Sequence, residues 1–111
     1  MIGEFFIIKK KALKEISRIF NNDNDKILDL GSGDNPDYHK SIKGRLICLD
    51  KNKTKTSHIV ADADAMPLKA NSFDKVISIN SIYYFRNPFN VVEDVHKILK
   101  KNGKFVLMAP F

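Results

Sequence analysis

The run Asp29-Leu30-Gly31-Ser32-Gly33-Asp34 sets two glycines and two acids directly behind a short apolar segment. Glycines at that spacing let a backbone turn sharply and approach a ligand with no Cβ in the way. Asp50 follows 17 positions after Gly33, at the end of a second apolar segment. A carboxylate there can accept hydrogen bonds from both hydroxyls of a ribose. Further on, Asp62 and Ala63 precede Ala65-Met66-Pro67, an acceptor for an amino group followed by small apolar residues that suit the face of a flat ring.

Such residues can meet only if the fold brings the segment ends together. Residues 26–30 and 45–49 are short, nearly continuous apolar runs, as strands in a sheet covered on both faces require. Residues 58–61, 73–80 and 104–109 add three more strands. Between them lie about two helical turns at 37–42, a polar crossover at 51–57, and a helix opened by Asn87-Pro88 and closed by Gly103. Ahead of the first strand, apolar residues from Phe5 to Phe20 recur at helical spacing, and the polar run Asn21–Asp25 reads as a break. The alternation predicts an α/β fold, a Rossmann-like doubly wound parallel sheet of about five strands, in which ligands sit outside the carboxyl ends of the strands. One domain spans 1–111, with an amphipathic helix at 1–22 and the core at 26–111.

Composition narrows the setting. A chain of 111 residues with 43% hydrophobic and 29% charged side chains suits one globular domain. Its longest apolar run, Phe5-Phe6-Ile7-Ile8, is far below the ~20 residues that span a bilayer, and lysines follow it where a secretory signal would place them before. A single cysteine, Cys48, excludes an internal disulfide; a reducing, cytoplasmic location is expected. The net charge of +6 comes largely from three lysine groups, at 9–14, 51–55 and 97–104. Aromatic residues do not interleave with them as base stacking needs, so a solvated surface is favoured over nucleic-acid binding.

Five segments in order, Ile27–Gly33, the acidic Asp50, Val60–Leu68, Asn71–Ser78 and Ile98–Phe105, resemble the class I S-adenosylmethionine-dependent methyltransferases, nearest the small-molecule kind called type 11. The resemblance implies S-adenosyl-L-methionine as cofactor and methyl transfer to an unidentified acceptor. It implies that Asp29, Gly31, Ser32 and Gly33 shape the loop around the methionine part. Asp50, with Lys51 beside it, would take the ribose, Asp62 with the Ala63 backbone would take adenine, and Asn80 would complete the cofactor site. Sulfonium, ribose and amino groups suit a site lined by Asp29, Asp34, Asp50 and Asp62, which would repel a phosphate-rich ligand. Two departures stand out: Asp34-Asn35-Pro36 replaces the third loop glycine, and Asn80-Ser81-Ile82-Tyr83-Tyr84-Phe85 replaces an acidic-His segment, leaving no general base to name.

Other residues read more plainly. His39 and His58 lack ligand-spaced partners, His96 belongs to a basic helix end, and Cys48 reads as a small buried side chain, so no metal site is expected. Tyr83 and Tyr84 are expected to cover the site or the core. The family's C-terminal antiparallel strand pair is missing, which would leave residues 104–109 as an open apolar edge for self-association or a partner. The alternative to an enzyme is thus a non-catalytic cofactor-binding or assembly module completed by another chain or by further sequence.

Overall fold

Period-two burial along the central strands sets up two cores, one on each face of a sheet. Leu28, Leu30, Val76, Phe105 and Leu107 point to one face, and Ile27, Ile77, Ile79, Val106 and Met108 to the other. The computed structural model describes residues 4–8, 13–34 and 36–108. Six strands, β1 (Glu4–Ile8), β2 (Asn21–Leu30), β3 (Lys43–Asp50), β4 (Ile59–Val60), β5 (Phe73–Ile79) and β6 (Leu99–Met108), lie in the order β1-β6-β5-β2-β3-β4. Every pairing is parallel. Helix α2 (Pro88–Ile98) packs Val91, Val95 and Ile98 on the first face; α1 (Leu13–Ile19) packs Ile16 and Ile19 on the second, with Phe20 and Tyr38. Asn87 caps α2, its side chain accepting from the Asn90 N–H, with proline in the first turn. No helix among the described residues is long and apolar enough to cross a membrane.

The five expected strands are β2 to β6, and the parallel doubly wound architecture is as expected. Four local expectations are corrected. The helix expected from Phe5 to Phe20, and with it the 1–22 helical segment, is instead strand β1 followed by a seven-residue helix. Phe5-Phe6-Ile7-Ile8 is a consecutive run of aromatic and β-branched residues, which suits a strand, and a period-3.6 count underweights that. The expected open edge at 104–109 is occupied by β1, paired from Glu4↔Lys104 to Ile8↔Met108; Ala109 lies outside the described residues. Strand β2 already begins at Asn21, opposite Lys43, and its ladder shifts before Lys26 pairs with Arg45; the Asn24 N–H is held by the Asn22 side chain in between. Helix α2 stops at Ile98, and the left-handed residue in the return is Asn102 (φ 65°), not Gly103.

One buried cation ties the second face together. Lys75 donates to the Ile19 carbonyl at 2.8 Å and pairs with Asp25 at 2.6 Å, fastening the end of α1 and the start of β2 to β5. Strand order reverses at β2: β3 and β4 build outward on one side, β5 and β6 on the other. The crevice between the carboxyl ends of β2 and β5 is therefore where a ligand is expected.

Candidate functional site

At that crevice the loop after β2 folds back over β3. The Gly31 and Ser32 N–H groups both donate to the Leu49 carbonyl, at 2.8 and 3.2 Å. Gly31 (φ 77°) and Gly33 (φ 67°) occupy the left-handed region that glycine adopts freely. Their reasons differ. A Cβ on Gly31 would sit 2.4 Å from Ser81 Oγ, whereas a Cβ on Gly33 would meet none of the described residues within 4 Å. Gly31 is therefore demanded by packing against the end of β5, and Gly33 by the turn alone.

Asp50, ending β3, organises the loop. One carboxylate oxygen accepts the Gly33 N–H and the other the Asn52 N–H, both at 2.9 Å, which leaves lone pairs on each oxygen for a ligand diol. Thr56 Oγ1 donates to the Gly33 carbonyl at 3.0 Å, and Asp34 accepts the Lys55 N–H at 2.9 Å, so the polar crossover after Lys51 is laced to the glycine loop. Across the crevice, Ser78 Oγ donates to the Leu30 carbonyl at 3.0 Å and Ser81 Oγ to the Gly31 carbonyl at 2.9 Å. Asn80 holds a left-handed turn (φ 57°) between them, its N–H on the Met108 carbonyl.

Asp62 caps the short 3₁₀ turn Ala63–Ala65, accepting the Asp64 N–H at 3.0 Å and pairing with Arg86 at 3.2 Å. Asp64 in turn accepts the backbone N–H groups of Arg86 and Asn87. Burial raises its carboxyl, but these donors, with Asp62 and the Arg86 charge, together outweigh that and hold it below the usual carboxylate range. The Asp62 loop is thereby fixed to the segment that leads into α2.

Together these parts enclose a cleft of about 710 Å³, within the range of small-molecule sites. Of the nine residues expected at a cofactor site, Gly31, Ser32, Gly33, Asp50, Lys51, Asp62, Ala63 and Asn80 line it. Asp29 does not: it is fully buried on the second face of the sheet, hydrogen-bonded by the Tyr38 hydroxyl and by His39 Nε2 at 2.5 Å. Burial pushes the Asp29 carboxyl up, against the pull of those two hydrogen bonds. Burial works against a charged His39, but its bonds to Asp29 and Cys48 prevail and push it up to about 9. Burial, then the neighbouring Asp29 carboxylate, raise the Tyr38 phenol.

Among the described residues, four acids, Asp34, Asp37, Asp50 and Asp62, face the cleft against one cation, Lys51, whose ammonium lies 5.5 Å from the Tyr84 ring centre. That balance favours a cationic or donor-rich ligand. Tyr84 and Phe85 line the cleft, while Tyr83 does not. Sequence reasoning assigned no role to Ser78, Ser81 and Tyr38; the available signal was the pair of serines at the end of an otherwise apolar strand.

Residues 28–107 match the family described as methyltransferase domain. A Methanocaldococcus jannaschii protein, MJ1252, is 31% identical over 100 residues, which are 84% of this chain and 40% of that one. The human mitochondrial arginine-hydroxylase NDUFAF5 is 35% identical over 51 residues, 46% of this chain and 15% of its own length. Among solved structures, one from Methanococcus maripaludis described as an S-adenosyl-L-methionine-dependent methyltransferase superposes with a TM-score of 0.68 at 19% identity, covering 86% of this chain and 53% of that one. The chain thus spans well under two thirds of the length of each of these relatives.

Proposed function

We propose that this chain, which belongs to the methyltransferase-domain family, binds S-adenosyl-L-methionine in the switch-point cleft and serves methyl transfer to an acceptor. The observation that carries this reading is the convergence of four strand ends on one acid-lined cleft: the glycine loop, Asp50, the Asp62 turn and Asn80. Asp50 has its two oxygens pre-aligned by backbone N–H groups and offers the remaining lone pairs to the ribose diol. The open space above Gly33 admits the methionine portion against bare backbone. Asp62 and Ala63 receive the adenine, with Asp62 accepting from its amino group. Asp29 acts beneath the loop, supporting it through Tyr38 instead of touching the ligand.

When bound, the cofactor supplies a methyl group on a sulfonium, open to in-line displacement by a nucleophile. The acids of the cleft stabilise that positive charge, and Tyr84 and Phe85 at the rim restrict water. The contribution of the chain is thus positioning, and its residues hold the electrophile in a fixed line of approach.

Calorimetry with S-adenosylhomocysteine tests the binding step. One equivalent should bind, and Asp50→Ala, checked for folding by circular dichroism, should weaken it about 10- to 100-fold, the worth of hydrogen bonds to a charged acceptor. No heat at millimolar ligand from the folded chain, or unchanged affinity in the variant, would overturn the reading. Because one relative is named a hydroxylase, methyl transfer is assayed separately, by following label from the cofactor methyl into candidate acceptors.

A further inference from the structure

Beneath the cleft floor, three elements bring metal-ligating atoms to one point. Asp29 on β2 and Cys48 on β3 are register partners, so their side chains stand next to each other on the same face of the sheet. The 3₁₀ turn Asp37–Ser41 folds over that face and delivers His39. A carboxylate oxygen, His39 Nε2 and Cys48 Sγ all lie within 4.8 Å of one another. This overturns the expectation that His39 lacks ligand partners: the sequence separates the three residues by loop and strand, and the register reunites them.

The geometry excludes one familiar use of these residue types. A cysteine nucleophile needs a histidine that takes the thiol proton on one ring nitrogen while a carboxylate holds the other. Here both partners approach the same nitrogen: Asp29 Oδ2 lies 2.5 Å and Cys48 Sγ 4.0 Å from His39 Nε2. Donor atoms gathered around a common centre are instead the arrangement that a cation requires.

A second observation points the same way. Asp29 Oδ1 is buried and has no hydrogen-bond partner among the described residues. An orphaned oxygen on a fully buried carboxylate is costly, and a cation beside it removes the cost.

We propose that Asp29, His39 and Cys48 form a binding site for one divalent transition-metal ion of the zinc class. A set of one sulfur, one nitrogen and one oxygen ligand suits Zn²⁺ above the oxygen-seeking ions. The ion takes the place of two protons, one from the Cys48 thiol and one from the His39 imidazolium, both released to solvent. With two anionic ligands the buried site becomes neutral. His39 Nε2 and Asp29 Oδ2 move apart to about 3.2 Å, the separation of adjacent ligands around a tetrahedral ion at ~2.0 Å from each. Water fills the fourth position, reaching it past the His39 side chain, which is 15% exposed. Tyr38, whose hydroxyl donates to the Asp29 carboxylate, orients that ligand and also lines the cleft, linking the ion to the ligand loop above it.

Cobalt titration of the chelator-stripped full chain is the test. Since Cys48 is the sole cysteine, a thiolate-to-cobalt charge-transfer band in the near ultraviolet reports that residue alone. We expect that band, with visible bands of tetrahedral cobalt, saturating at one equivalent and abolished by one equivalent of Zn²⁺. His39→Gln should lose the band or weaken binding at least 10-fold, while His96→Gln, on the far helix, should leave both unchanged. A wild-type chain that shows no thiolate band overturns the site. So does a band that persists at full affinity in His39→Gln. Neither outcome bears on S-adenosylhomocysteine binding, which is read by calorimetry on the metal-free chain.

Discussion

Gly31 and Gly33 share a backbone conformation and differ in surroundings, so substituting each by alanine separates two energetic effects. Gly33→Ala forces a Cβ into the left-handed region, at φ 67°, with open space around it; that costs about 1–2 kcal/mol. Gly31→Ala carries the same cost at φ 77° and also places a Cβ 2.4 Å from Ser81 Oγ and 2.7 Å from Ser81 Cβ. Relieving that overlap requires the tips of β2 and β5 to separate, an overpacking cost of about 1–3 kcal/mol. Gly31→Ala should therefore destabilise by about 2–5 kcal/mol in urea unfolding, against 1–2 for Gly33→Ala. Ser81→Gly removes both colliding atoms and should restore the overpacking part alone. The double-mutant cycle then shows a favourable coupling of about 1–3 kcal/mol between positions 31 and 81, and near zero between 33 and 81. Equal losses for the two alanine variants, or no coupling at 31 and 81, would refute the account of why each glycine is there.

Two further outcomes follow from buried charge. Burial opposes a charged His39, but its bonds to Asp29 and Cys48 push it from the ordinary 6.5 up to about 9, so it binds more protons folded than unfolded between those values. Its stabilisation is complete below pH 6.5 and is lost as pH rises through 9; the raised Asp29 carboxyl also favours the protonated side. The thermal midpoint of the chain, kept free of metal by chelator, should fall over that window, and His39→Gln should flatten the decline; an equal slope in the variant contradicts the assignment. Lys75→Met removes the partner of Asp25 and the donor to Ile19 and should cost about 3 kcal/mol in urea unfolding, while Lys75→Met with Asp25→Leu should recover most of it.

Periodic apolar strands, the Asn87 cap and the acids at the strand ends were legible because each is a local pattern with one physical meaning. Eight of the nine expected site residues line a single cleft for that reason. What failed to show in the sequence depends on partners far along the chain. Phe5-Phe6-Ile7-Ile8 fits a helix stripe or a strand until β6 is there to pair with it. Asp29 looks like a ligand-facing acid until the parity of β2 turns it to the opposite face, where Tyr38 and His39 meet it. Asp29 and Cys48, 19 positions apart, become neighbours only through the β2–β3 register.

The pairing of β1 with β6 also fixes an order of events. Glu4 and Lys104 are 100 positions apart, about twice the 48 that separate Ile27 from Lys75 at the centre of the sheet. At equilibrium that doubling matters little, adding only about 0.6 kcal/mol of loop-closure entropy. In time it matters more: no partner for residues 4–8 exists until residues 104–108 have been made and seated on β5. The central strands can assemble earlier, while the apolar Phe5–Ile8 segment waits for β6, and over that interval of synthesis it needs protection.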